Sequence, residues 1–258
     1  MRSSRSSRFD PLFAAGPSCA AWLGTRDLAH RGRHGPGVAE NSRAAFRAAI
    51  AAGDAIELDI QACADGTPAV FHDRDLHRMA GRDGLVRDHR PAELTRMALV
   101  GSTETIPMLD EVLALVAGAT PLMIEVKSPG PDPAPLCRAT AALLADYDGR
   151  AAIASFDPKV LIWFRANAPD VPRGLIVGAK PMGFPAGAPK QLWWRRLAAA
   201  PRCEADFLAI DVNLLPGALA ARVRARGLPV LTWTVRSEAE RARARDHADA
   251  AIFEGAPA

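Results

Sequence analysis

Nine short apolar runs alternate with amphipathic stretches along most of the chain, and this order restricts the fold more than any other feature. The runs are residues 27–30, 55–60, 68–72, 122–126, 151–155, 173–177, 207–212, 229–235 and 250–253. Helical spacing marks residues 42–52, 91–99, 109–117, 134–146, 158–167, 216–226 and 237–247. In the first of these, Asn41 or Ser42 can cap the start, Phe46 and Ile50 share one face, and Gly53 can close the end. Repeated strand-then-helix order predicts parallel strands joined by crossover helices.

Two of the nine runs cannot be parallel neighbours. Residues 55–60 and 68–72 are separated by a short segment carrying Asp65-Gly66, a hairpin turn signal. A parallel crossover needs a dozen or more residues, so this pair is antiparallel. Eight parallel strands remain, the number of a (β/α)8 barrel of the TIM type, with a β-hairpin extension at about residues 60–72. If Asp65 and Gly66 form the whole loop, Ala64 faces Thr67 and His72 lies opposite Asp59; a bulge would shift the register by one.

The chain length of 258 residues suits one such barrel, which takes about 250. Residues 26–258 are expected to form that single domain, behind a flexible extension of residues 1–25. The Gly- and Pro-rich residues 178–190 read as a small insertion above the carboxyl rim. With 49% apolar and 24% charged residues, a large core is possible. A net charge of only +3, with Arg residues scattered, speaks against nucleic-acid binding. No apolar run reaches the roughly 18 residues of a membrane span. Cys19, Cys63, Cys137 and Cys203 form no close pair, so free thiols in a reducing, cytoplasmic setting are expected. The basic, Ser-rich first eight residues read as a disordered tail rather than a transit segment.

In a barrel, functional groups gather at the carboxyl ends of the strands. Those ends carry His30-Arg31, Glu57-x-Asp59, Glu125-x-Lys127 and Trp233, and the hairpin adds His72. Glu57 and Asp59 are two apart on a strand and point the same way. Side by side they repel unless one is protonated or a cation lies between them. Glu125 adds a third carboxylate, and three oxygen ligands suit a hard divalent ion, Mg²⁺ or Ca²⁺. The plainer reading pairs Glu57 or Asp59 with an Arg and lets Lys127 neutralise Glu125. Arg31 and Lys127 could instead hold phosphate oxygens. His30 and His72, with ordinary pKa values near 6.5, make the best acid–base pair. His34, His77, His89 and His247 are assigned no role.

These residues resemble a known pattern. The stretch LAHRGRHGPGVAENSRAAFRAAIAAGDAIELDIQACADGTPAVFHDRDLHRMAG is similar to the signature of the glycerophosphodiester phosphodiesterase family, and IPMLDEVLALV, PLMIEVKS and VLTWTV resemble its later motifs. The resemblance runs roughly from Leu28 to Phe253 and is least specific between Pro129 and Leu228. It implies a (β/α)8 barrel and a divalent ion held by Glu57, Asp59 and Glu125. It further implies His30 and His72 as acid and base, Arg31 and Lys127 at the phosphate, and Trp233 lining the substrate pocket. The family's usual Thr after Glu-Asn is Ser42 here. Its usual Thr-Asp or Thr-Asn after the last strand is Glu254-Gly255, a change expected to touch alcohol-side specificity more than catalysis.

The expected reaction is hydrolysis of a glycerophosphodiester to glycerol 3-phosphate and an alcohol, through either a cyclic phosphate or direct attack by water. A related barrel acting on lysophospholipids or phosphoinositides would need an apolar rim, for which the loop from Pro181 to Trp194, with Phe184 and Trp193, offers weak membrane contact. A non-catalytic phosphate-binding barrel would be expected to lack a carboxylate or a histidine, and none is missing.

Overall fold

The computed structural model describes residues 12–14, 20–128, 130, 132–179 and 203–255. Its strands are β1 (Leu28–Ala29), β2 (Ala55–Ala62), β3 (Pro68–Val70), β4 (Leu122–Val126), β5 (Ala151–Ser155), β6 (Arg173–Val177), β7 (Phe207–Asp211), β8 (Val230–Val235) and β9 (Ala250–Phe253). All but β3 are parallel, and β1 pairs with both β2 and β9, so the eight close into a barrel. The fold expected from strand order is therefore the fold observed.

Strand periodicity sorts side chains into two layers. Leu28, Ala55, Met123, Phe207, Ala209, Leu231, Ala250 and Ile252 fill the barrel interior. Their neighbours Ile56, Leu58, Ile124, Leu208 and Val230 face outward and pack under the helices. The interior is tight: a Cβ on Gly174 would lie 2.1 Å from the Phe207 ring, so only glycine fits beside that ring. Helices Arg43–Ala52, Leu109–Val116, Ala134–Ala145, Pro158–Asn167, Ala218–Ala225 and Glu238–His247 form the outer layer. Ser42, not Asn41, caps the first, accepting from Ala45 N at 3.1 Å, and Gly53 closes it.

The hairpin register differs from the two-residue-loop expectation. Ile60 pairs with Val70, Gln61 with Ala69 and Ala62 with Pro68. Cys63 N donates to Thr67 O, leaving Ala64, Asp65 and Gly66 as a three-residue loop. Gly66 adopts φ 87°, the left-handed position that such loops require, and Asp65 Oδ1 accepts from Thr67 N at 3.0 Å. The shift of one residue brings Phe71, not His72, opposite Asp59; Phe71 N donates to Asp59 O at 3.0 Å.

Beyond β3 the chain makes a longer excursion than the hairpin alone. Residues up to Met108 build a small core of their own from Ala39, Cys63, Phe71, Leu76, Val86, Leu94, Leu99 and Ile106. Here the expected helix over residues 91–99 stops at Leu94. The backbone at Met97 and Leu99 bonds instead to Ile106 and Glu104, which ends the helix in favour of a short antiparallel turn.

Parts of the N-terminal extension pack on the barrel. Ala205 N donates to Leu12 O and Ala14 N to Ala205 O, and Leu12 and Phe13 are buried. The 3-10 turn Ala21–Thr25 sends Leu23 into the same apolar cluster as Leu28 and Ile252. Leu23 thereby extends the apolar packing of the barrel interior. Cys63, Cys137 and Cys203 are free and buried, and burial pushes their thiols up to about 12, 12 and 11. Cys19, the loop from Pro181 to Trp194 and most of residues 178–190 lie outside the described residues.

Candidate active site

The inward parity that packs Ala55, Met123, Leu28 and Leu231 below also orients Glu57, Asp59, Glu125, Lys127, His30 and Trp233 above them. A cavity of about 360 Å³ at the carboxyl ends of the strands is lined by His30, Arg31, Glu57, His72, Glu125, Lys127 and Trp233. Asp59 lies just behind that lining, fully buried. Strand ends from four parts of the sequence thus converge with the hairpin arm on one cleft.

The three carboxylates offer ligand atoms within 4.8 Å of one another. Two cations attend them. Lys127 Nζ stands 2.8 Å from Asp59 Oδ1 and 2.5 Å from Glu125 Oε1. Arg31 donates its backbone N–H to Glu57 Oε2 at 2.9 Å, and its Nε lies 3.3 Å from Asp59 Oδ2. This crowding splits the carboxylates. Burial, reinforced by Asp59 and Glu125, pushes Glu57 well above the usual carboxylate range. Burial also raises Glu125, although Lys127 opposes it. Burial would raise Asp59 as well, but Lys127, His72 and Arg31 outweigh it and hold Asp59 far below that range. Asp59 Oδ1 is buried, with the Lys127 ammonium as its partner. Three buried carboxylates, one of them raised well above its usual range by burial and its neighbours, fit a hard divalent cation: an all-oxygen donor set whose mutual repulsion the ion would relieve.

Each histidine is held at Nδ1 by a carboxylate. His30 Nδ1 lies 2.6 Å from Glu254 Oε1, and His72 Nδ1 lies 2.7 Å from Asp73 Oδ1. The Nε2 of His30 approaches Glu57 Oε2 at 3.9 Å. Burial keeps both imidazoles below their ordinary value, outweighing the carboxylates nearby. Burial thus favours the neutral form of each ring, in which one nitrogen is free to accept a proton.

Several supporting residues escaped the sequence reading. Asn41, which was read only as an alternative helix cap, grips Asp59 instead. Glu40 accepts from Arg31 Nη1 at 2.8 Å, and Arg78 joins Glu40 to Asp73 through paired bonds to each. The sequence carried a signal for these in Glu40-Asn41 and His72-Asp73, each adjoining a residue already singled out. Trp233 stands edge-on to Phe156, ring centroids 5.6 Å apart, with its buried Nε1 donating to nothing among the described residues. Glu254, expected to touch alcohol-side specificity more than catalysis, contacts His30 directly.

Residues 30–254 match the sequence profile of the Glycerophosphoryl diester phosphodiesterase family. The chain belongs to this family. A glycerophosphodiester phosphodiesterase from Bacillus altitudinis is 41% identical over 110 residues, a match spanning 40% of this chain and 44% of that relative. Another from Bacillus subtilis is 27% identical over 255 residues, covering 89% of this chain and 83% of the relative. Among solved structures, an Oleispira antarctica phosphodiesterase in complex with the product sn-glycerol-3-phosphate aligns with a TM-score of 0.75 at 26% identity, covering 88% of this chain and 92% of that one. The family's relatives named here are phosphoric diester hydrolases. Among the described residues no helix is long and apolar enough to cross a membrane.

Proposed function

We propose that the protein hydrolyses glycerophosphodiesters to glycerol 3-phosphate and an alcohol, using one divalent ion, Mg²⁺ or Ca²⁺, and the His30/His72 pair. The observation that carries this reading is the convergence of three carboxylates, two cations and two carboxylate-backed histidines on one cavity. A structural relative holding sn-glycerol-3-phosphate supports the substrate class.

Glu57, Asp59 and Glu125 would hold the ion. Bound there, it would act as a Lewis acid on phosphate and lower the pKa of an attacking hydroxyl. Arg31 and Lys127 supply fixed positive charge where negative charge grows on the phosphoryl oxygens. One histidine takes the proton of the attacking oxygen as its bond to phosphorus forms. The other, carrying a second proton as imidazolium, gives it to the departing alkoxide as its bond to phosphorus breaks. The attacking oxygen is a neighbouring glycerol hydroxyl or water; with the hydroxyl, water then opens the cyclic phosphate and the histidines exchange roles. Trp233, with Phe156, forms the apolar wall against which the organic part of the substrate rests. The buried free thiols accord with a cytoplasmic location.

The test is release of glycerol 3-phosphate from glycerophosphocholine and a panel of other head groups, in EDTA and with added Mg²⁺ or Ca²⁺. Release only with metal is expected. Turnover of lysophospholipid alone would replace this substrate class with its membrane-directed relative, and no turnover of any phosphodiester would overturn the reading.

A further inference from the structure

We propose that Glu254, clamped by Arg236, is a positioning residue that fixes the His30 imidazole with its proton on Nδ1 and its Nε2 turned to the reacting phosphodiester. This rests on the reading of His30 as one of the two acid–base groups.

The placement follows from the barrel. β1 and β9 are neighbours with Ala29 opposite Phe253, so the next residue of each strand, His30 and Glu254, emerge side by side. His30 N donates to Phe253 O at 2.9 Å, and Glu254 N donates to Val235 O at 3.0 Å, which pins both backbones to adjoining strand ends. From that rim Glu254 Oε1 reaches His30 Nδ1 at 2.6 Å. Arg236, the first residue past β8, grips the same carboxylate with two donors: Nε to Oε2 at 2.6 Å and Nη2 to Oε1 at 2.8 Å. Both Glu254 oxygens are thus engaged, and the side chain has one orientation.

An ionised carboxylate only accepts hydrogen bonds, so it selects the tautomer with hydrogen on Nδ1. Burial alone would raise Glu254, but the bonds from His30 and Arg236 outweigh it and keep the group ionised. The free nitrogen is then Nε2, the one on the Glu57 side. The same design occurs on the other histidine, built from unrelated elements: Asp73 backs His72, and Arg78 backs Asp73. His34 also lies near, its ligand atom within 4.8 Å of those of His30 and Glu254. A guanidinium already neutralises that carboxylate, so a hydrogen-bonded support fits the site better than a second cation.

The test combines histidine side-chain ¹H–¹⁵N spectra with steady-state kinetics on glycerophosphocholine for the wild type, Glu254→Gln, Glu254→Ala and Arg236→Ala. In the wild type at pH 7.5, His30 should show a protonated Nδ1 and an unprotonated Nε2. Glu254→Ala should bring in the opposite tautomer at His30 while His72 keeps its signals, and kcat should fall about 10–100-fold with KM within about twofold, the usual cost of removing such a support. Glu254→Gln retains an acceptor and should recover part of both losses; Arg236→Ala should fall between. An unchanged His30 tautomer in Glu254→Ala, or unchanged kcat, would overturn the proposal. Absence of any activity in the wild type would overturn the reading of the site instead, and the spectra alone would then decide the placement of the proton.

Discussion

Asn41 binds Asp59 twice: its side-chain amide donates to Asp59 Oδ2 at 2.9 Å, and its side-chain carbonyl accepts the Asp59 backbone N–H at 3.3 Å. Asn41 adopts φ 54°, a left-handed conformation that Asn tolerates better than most residues, and both partners are buried. Asn41→Ala therefore removes two bonds and strains the backbone. A loss of about 1–3 kcal/mol in urea unfolding is expected. Mg²⁺ affinity, read by calorimetry, should weaken about 10–100-fold because Asp59 loses its orientation. Unchanged affinity would remove Asp59 from the proposed ligand set.

Glu57→Gln should have opposite effects with and without metal. In EDTA the wild type confines a buried carboxylate among Asp59 and Glu125, so the neutral amide should raise the melting temperature. With Mg²⁺ at a hundredfold excess over its Kd, the wild type should gain about 2.7 kcal/mol, and the variant should gain little of it. Since Glu57 and Glu125 both sit above their usual range, binding should also release protons and tighten as pH rises. Calorimetry in buffers of different ionisation enthalpy reads that release, and a zero count would contradict the arrangement.

Acid stability should depend on the network around Arg78. Burial would raise Glu40 and Asp73, but their bonds to Arg78 outweigh it and hold both below their ordinary values. A carboxylate whose folded pKa lies below its unfolded one adds stability above the unfolded value, about pH 4, and loses it as pH falls through the folded value. Unfolding midpoints measured from pH 6 to pH 3 should therefore fall, and more gently in Arg78→Ala. The side chain of Arg78 is half exposed, so the effect is screened and should shrink in high salt.

Much of the fold was legible because strand parity and turn chemistry are local. The boundaries of β4, β5, β6 and β9 fell on the expected residues. Asp65-Gly66 marked the hairpin, but its register depended on Gly66 taking the third loop position, which an isolated dipeptide does not specify. The helix ending at Leu94 was cut short by pairing between residues near Leu99 and Glu104, a tertiary choice that overrides helical spacing. In the site, His30, Glu57, Asp59, Glu125 and Lys127 could be located from strand ends alone. Glu254 and Arg236 could not be assigned their contacts, because their roles arise from barrel closure, which brings β9 beside β1.

The segment before β1 adds to the apolar interior of the barrel. Leu23 is buried among Leu28, Leu231 and Ile252. Leu23→Ala should cost about 2–5 kcal/mol, the range for a buried Leu in a close-packed core, by urea denaturation. A change under about 0.5 kcal/mol would show that Leu23 adds little to that packing.

The central claim is that His30 and His72 act as an acid–base pair on a metal-bound phosphodiester. The most direct measurement is kcat for glycerophosphocholine at saturating Mg²⁺ in His30→Ala and His72→Ala, with metal binding checked by calorimetry. The account predicts that each variant still binds Mg²⁺ and folds, yet loses about 10²–10⁴ in kcat. Wild-type turnover in either variant would contradict it.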